Sequence, residues 1–282
     1  MYSHLALDSD LLLLNYLGNL RVDPMPESVL KGRVALVTGV SRRKGIGFAI
    51  AQRLAMLGAD VFIHSFSPYD ADRSWGVDAD GVSALITTLQ EQGTRIAHAE
   101  GNFLDPAVPH QIVDSAVKAL GHIDILVANH TYSTLENLEE LTAAEIDTHL
   151  QINVRGTLLL VQAFAAQHQK SSGGRVVLLT SGQHLNPMPS ELAYVASKGA
   201  VHQLTLSLSA HLIQRGITVN TVNPGATDTG WADEKLYEFI RAANPQGRWG
   251  KPEDAARLIG WLATDDAQWI TGQTLNSTGG GY

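Results

Sequence analysis

Val34-Ala35-Leu36-Val37-Thr38-Gly39-Val40-Ser41-Arg42-Arg43-Lys44-Gly45-Ile46-Gly47 is an apolar, β-branched run entering a glycine turn, and an Ala-rich helical pattern follows from about Phe48. Strand, glycine turn and helix in that order form a site for a pyrophosphate. Glycines let the backbone turn tightly and approach the ligand, and the free N–H groups of a helix start attract anionic oxygens. Gly39, Ser41, Gly45, Ile46 and Gly47 are therefore expected to hold a dinucleotide.

Outward from this turn, short apolar runs alternate with longer helical patterns, the signature of parallel βαβ units. The expected strands are Val34–Thr38, Asp60–Ser65, Arg95–Ala99, Ile123–Ala128, Arg175–Thr180, Thr218–Val222 and Thr274–Asn276. Most are continuously apolar, as a parallel strand covered on both faces must be. The fold class is α/β: a doubly wound, seven-stranded parallel sheet with helices on both faces. Residues 31–282 are expected to form this domain, and residues 1–30 an N-terminal arm in which Leu11 to Leu20 suggest a short helix and Pro24 and Pro26 a linker.

The 282 residues carry a net charge of -8, which argues against nucleic acid as a partner. The absence of cysteine removes disulfides, thiolate catalysis and thiolate metal sites and fits a cytoplasmic protein. No apolar run reaches the roughly 20 residues that cross a bilayer, and Asp8 and Asp10 stand where a signal peptide would carry cations. The 11 histidines show no paired metal-ligand spacing, so no metal is expected.

Three cations, Arg42, Arg43 and Lys44, sit inside the glycine turn, where Arg can bind a ribose phosphate in a bidentate manner. Sites specific for NAD place an acid near the end of the second strand, a position held here by Ser65 or Phe66. Added cations and a missing acid both favour NADP(H) over NAD(H). Arg73, in the long connection Ser67 to Asp80, is a further candidate for the phosphate.

Tyr194 and Lys198 stand at i and i+4, hence on one helix face. Alone the pair is weak, since composition would produce one in roughly one such chain in six. Ser181 adds specificity: it lies 13 residues earlier, directly after an apolar strand, at the sheet edge where doubly wound folds bind ligands. Asn153 is an amide inside a long, largely apolar helical pattern and needs a partner there.

Taken in order, Thr38-Gly39 to Gly45-Ile46-Gly47, Asn153, Ser181, Tyr194 with Lys198, and Asn223-Pro224-Gly225 resemble the short-chain dehydrogenase/reductase family over about residues 31 to 282. Arg248 to Asp254 and Ile270 to Gln273 are most similar to the bacterial 3-oxoacyl-carrier-protein reductases. The resemblance implies a single-domain Rossmann fold and hydride transfer between NADP(H) and a ketone or secondary alcohol. It also implies a tetrad in which Tyr194 gives or takes the proton and Lys198 stabilises the phenolate. Ser181 would hold the substrate oxygen, and Asn153 would position a water that relays protons. Pro224, Gly225 and Thr227 would border the nicotinamide. A homotetramer or dimer is implied, built on the helices carrying Asn153 and Tyr194 and on the C-terminal strand, with the tail Gly279 to Tyr282 near a neighbour.

Three positions depart from the family pattern. Five residues separate Gly39 from Gly45 where the family has three, a length similar to the enoyl-carrier-protein reductases, although those widen the Tyr to Lys spacing. Asn129 keeps the amide that ties the central strand to its neighbours, within Ala128-Asn129-His130-Thr131. Asn102, followed by Phe103, replaces the acid that usually contacts adenine. Substrate contacts are expected from Gln183, His184, Asn186, Met188 and Glu191 on one side, with Trp231 and Tyr237 above, which suits a polar ketone or ring alcohol. The rival readings are an enoyl-type reductase and a catalytically silent NADP(H)-binding regulatory protein.

Overall fold

A computed structural model describes residues 28–281. The proposed helix Leu11 to Leu20, the Pro24 and Pro26 linker and Tyr282 lie outside them. Seven parallel strands form one sheet: β1 (Val34–Val37), β2 (Asp60–Ser65), β3 (Ile96–Glu100), β4 (Ile125–Ala128), β5 (Gly174–Leu179), β6 (Ile217–Asn223) and β7 (Thr274–Asn276). The order β3-β2-β1-β4-β5-β6-β7 places the reversal of winding between β1 and β4, the crevice where ligands of such sheets bind. Each expected strand is present, with ends shifted by no more than a few residues.

The helices are α1 (Ile46–Met56), α2 (Ser67–Ala71), α3 (Gly81–Gln90), α4 (Val108–Leu120), α5 (Ala143–His149), α6 (Thr157–Gln167), α7 (Leu192–Leu212), α8 (Glu234–Ala243) and α9 (Pro252–Leu262). A π-helical stretch, Leu150–Gly156, joins α5 to α6. Along β1, Ala35 and Val37 enter one core with Ile50, Leu54 and Ile259, while Val34 and Leu36 enter another with Phe62 and Phe164. Two buried faces explain the unbroken apolar run Val34–Val37.

The domain begins earlier than expected. Leu30 is buried in the first core and its N–H donates to the Leu57 carbonyl at 2.8 Å, so this end of the supposed arm is held by the domain. No helix among the described residues is long and apolar enough to cross a membrane.

Candidate active site

The turn after β1 is built for close approach. Gly39 adopts φ +72°, and a Cβ there would stand 2.9 Å from the Asn129 amide and from the His130 backbone. A Cβ on Gly47 would stand 2.3 Å from the Gly39 carbonyl oxygen. Asn129 closes the turn from β4, its Nδ2 donating to the carbonyls of Thr38 at 3.0 Å and Gly39 at 3.1 Å. Gly45 caps α1 without a side-chain bond, so the first N–H groups of the helix have no capping acceptor. Bare backbone and unfilled N–H groups at the sheet's switch point fit a pyrophosphate.

Below the turn three rings stack. His64 lies 4.4 Å from Phe103 at an interplanar angle of 7°, and Phe103 meets His130 edge-on at 4.3 Å. His64 Nδ1 accepts from the Gly39 N–H at 3.4 Å, which leaves Nε2–H to donate to the Gly101 carbonyl at 2.9 Å. Burial lowers His64 to about 4, the Gly101 bond opposing and the His98 charge adding, and burial pushes His130 in the same direction. The unfolded chain therefore takes up a proton before the folded one as pH falls. Stability present above pH 6.5 is lost toward pH 4, on the order of 3 kcal/mol from His64. Denaturant titrations at pH 7.5 and 5 are expected to show this loss, reduced in His64→Gln; equal losses in both proteins would contradict it.

The cations of the turn are less free than expected. Arg42 Nε pairs with Asp70 of α2 at 3.0 Å, its Nη1 donates to the Thr229 carbonyl at 3.1 Å, and its guanidinium lies 5.3 Å from the Trp75 ring. Lys44 pairs with Asp228 at 2.9 Å, and Arg43 donates to Thr88 while lying over Phe48. Ser65 is fully buried and hydrogen-bonded to His98 at 2.8 Å, so its hydroxyl points away from a ribose. Ser41, by contrast, faces the turn and accepts the Phe66 N–H at 3.2 Å.

Ser181, Tyr194 and Lys198 lie together at the carboxyl edge of β5. Burial pushes the Tyr194 phenol up to about 12, against hydrogen bonds from Ser181 and Thr131 that pull it down. Burial also lowers Lys198 to about 8; its ammonium donates to the Leu179 carbonyl at 3.0 Å and lies 5.8 Å from the Tyr194 ring. Desolvation thus favours the neutral form of both groups, where the resemblance implied a stabilised phenolate.

Asn153, within the π-helical stretch, is also used differently. Its Nδ2 donates to Ser197 Oγ and to the Tyr132 carbonyl, both at 2.9 Å. Its Oδ1 accepts from the Tyr132 N–H at 2.7 Å and the Thr131 hydroxyl at 3.4 Å. Protein groups fill every position of the amide, so the side chain clamps α7 to the loop after β4 and has none left for a relay water.

Asn102 accepts the Leu104 N–H at 3.0 Å, and Phe103 is buried in the stack. Thr227 is buried with its hydroxyl donating to the Pro224 and Gly225 carbonyls, both at 3.2 Å. Gln183 accepts the Ser181 N–H at 3.2 Å and steadies that residue. His184 is exposed and lies 4.6 Å from His202, Met188 is half-buried, and Trp231 is 38% exposed with its indole N–H on the Thr227 carbonyl. Asn186 is exposed, burial raises Glu191, and Tyr237 stacks on Trp249 at 5.2 Å.

Sequence reasoning singled out Arg73 but missed the helix and Tyr69 within the Ser67–Asp80 connection. Its α2 brings Tyr69 across the cleft, where the hydroxyl donates to the Ser133 carbonyl at 3.2 Å. Tyr69 lies 5.7 Å from Tyr132, which stands 4.8 Å from the buried His149, itself 6.5 Å from Tyr194. Pro68 at the start of α2 was the one local signal of a helix there.

Residues 39–281 match the family model described as enoyl-(acyl carrier protein) reductase. An uncharacterized oxidoreductase, YjdA of Bacillus subtilis (strain 168), is 38% identical over 250 residues, covering 88% of this chain and 96% of that one. A dehydrogenase/reductase from Sinorhizobium meliloti 1021 superposes with a TM-score of 0.80 at 33% identity, over 90% of this chain and 97% of that one. A short chain dehydrogenase from Burkholderia cenocepacia J2315, in complex with NADP, gives 0.79 at 33% identity, over 89% and 98%. The chain belongs to the short-chain dehydrogenase/reductase family and is an oxidoreductase.

Proposed function

We propose that this chain interconverts a ketone and a secondary alcohol with NADP(H), Tyr194 acting as the proton donor and acceptor. The observation that carries the reading is the meeting of Ser181, Tyr194 and Lys198 beside the glycine cradle at one edge of the sheet. When bound, the nicotinamide supplies or accepts the hydride. Gly39, Ser41, Gly45, Ile46, Gly47, Asn102, Phe103, Asn129, Pro224, Gly225 and the buried Thr227 shape its groove. Ser181 orients the substrate oxygen, and a phenol held near 12 keeps its proton at neutral pH, which suits carbonyl reduction. Lys198 adds positive charge beside that phenol whenever it is protonated.

Cofactor absorbance across a panel of ketones, secondary alcohols and α,β-unsaturated thioesters tests the reaction. Turnover confined to the unsaturated thioesters would favour the enoyl-type reading, which the five-residue turn and the description of the family model support and the i, i+4 spacing of Tyr194 and Lys198 opposes. Tight cofactor binding with no turnover would favour a regulatory protein.

NADP in the Burkholderia relative and Arg42 beside the turn support NADP(H). The Arg42–Asp70 pair also favours a second reading, because Asp70 can accept the ribose hydroxyls of NAD(H) if Arg42 stays bound to it. Arg42→Ala is expected to weaken NADPH binding by ~10- to 100-fold and leave NADH unchanged, as loss of a charge-assisted contact requires. Titrations of both cofactors decide it, and an unchanged NADPH affinity would favour NAD(H).

A homotetramer or dimer is the proposed assembly. Leu150, Leu206 and Trp269, the last 93% exposed, lie on the π-helical stretch, on α7 and just before β7, the elements expected to form the interfaces.

A further inference from the structure

Arg73 is the cation of the Ser67–Asp80 connection that the carboxylates around it leave free. Its guanidinium lies 4.6 Å from the Tyr69 ring and 5.4 Å from the Tyr132 ring, and its buried Nε has no hydrogen-bond partner. Neighbouring acids are engaged elsewhere: Asp70 by Arg42 and the Trp75 indole N–H, and Glu145 by the hydroxyls of Tyr132 and Thr134. A guanidinium held between two aromatic rings, with only the Tyr69 and Tyr132 hydroxyls as hydrogen-bonding neighbours and no carboxylate partner, keeps donors of its fork for a planar anion.

The position of that fork relates it to the reacting centre. Tyr132 donates its N–H to Asn153 and follows Thr131, whose hydroxyl also reaches Asn153. The Tyr132 ring connects through His149 to Tyr194 at centroid distances of 4.8 and 6.5 Å. Arg73 is therefore linked through Tyr132 and His149 to Tyr194, while Arg42 and Lys44 of the glycine turn are already ion-paired.

We infer that Arg73 is a specificity-determining residue that binds the carboxylate of the substrate, so that the compounds reduced are oxo acids carrying their anionic end a few bonds from the carbonyl. This rests on the carbonyl-reduction reading above. Tyr69 and Tyr132 hold the guanidinium in place, and the Tyr69 hydrogen bond to Ser133 fixes α2 across the cleft. A carboxylate docked on Arg73 would turn the far end of the molecule toward Ser181 and Tyr194.

The test compares 2-oxobutanoate, 4-oxopentanoate and 5-oxohexanoate with their methyl esters, for the wild type, Arg73→Gln and Arg73→Lys. Reduction is followed with NADPH and with NADH, and binding by calorimetry on the NADP⁺-loaded protein. At least one acid is expected to be preferred to its ester, with kcat/KM and affinity for the acid falling ~10- to 100-fold in Arg73→Gln, the ester unaffected and Arg73→Lys intermediate. Equal losses on acid and ester, or no preference for any acid in the wild type, would overturn the inference. So would a loss confined to NADPH affinity, which would assign the guanidinium to the cofactor's phosphate. Arg73-dependent binding of an acid without reduction of any compound would uphold the carboxylate site and overturn the reaction instead.

Discussion

Tyr194→Phe is expected to lower kcat for carbonyl reduction by ~10²- to 10⁴-fold while leaving cofactor affinity unchanged. The substitution removes one hydroxyl. The ring stays half-buried, with its edge toward His149 at 6.5 Å, and the backbone carbonyl that accepts the Ser197 hydroxyl at 2.8 Å is untouched. What disappears is the phenolic proton, together with the oxygen toward which the Ser181 and Thr131 hydroxyls donate. Single-turnover reduction and a separate NADPH titration distinguish loss of chemistry from loss of binding. Near-normal turnover would transfer the proton to another group. Ser181→Ala would then be the next variant, since its hydroxyl is, with that of Thr131, a donor directed at the Tyr194 oxygen.

Gly47→Ala is expected to damage stability and cofactor binding together. The added Cβ would meet the Gly39 carbonyl oxygen at 2.3 Å and the Asn129 Nδ2 at 2.7 Å, and the former is backbone that cannot rotate away. Relief requires the Gly39 turn to move, and with it the bond that Gly39 accepts from Asn129 at 3.1 Å. Overpacking of this kind costs about 1–3 kcal/mol or more, and here the strain falls on the proposed phosphate cradle. Thermal unfolding and an NADPH titration should both register it, the second as a loss of at least about tenfold. A variant with wild-type stability and affinity would show that the turn is loose and that the strand–turn–helix argument overstates its rigidity.

The contrast between what was readable and what was not follows from the range of the interactions involved. Val34–Val37 and Ile125–Ala128 declared themselves as strands because both faces of the sheet are covered, so local composition suffices. Tyr194 and Lys198 were readable because helical geometry alone sets their common face. The direction of the Ser65 hydroxyl was not readable because its partner, His98, lies on the neighbouring strand, and no local pattern tells which way a small hydroxyl turns. Arg42 was read by its charge, but its ion pair depends on Asp70, in a connection with no hydrophobic period to reveal α2. Asn153 was correctly singled out as an amide needing a partner. Its use as a clamp depends on Tyr132 and Ser197, residues 21 and 44 positions away in the chain. The cluster of His64, Phe103 and His130 gave no signal at all, since β2 and the loops after β3 and β4 contribute one ring each once the strand ends are brought together.

The wide turn at Leu150–Gly156 carries a consequence for anyone redesigning this scaffold. A π-helical stretch holds one more residue than an α-helix of the same hydrogen-bonded span, so removing a single residue there would restore regular winding. Each residue of an α-helix turns by about 100°, so that deletion would swing everything on one side of it by roughly a quarter of a revolution. The four hydrogen bonds of Asn153 to Thr131, Tyr132 and Ser197 could not all be kept. Idealising the rod would strengthen its own ladder while disconnecting α7 from the loop after β4. The irregularity thus acts as an angular shim, and the sequence length between α5 and α6 is fixed by rotation more than by reach.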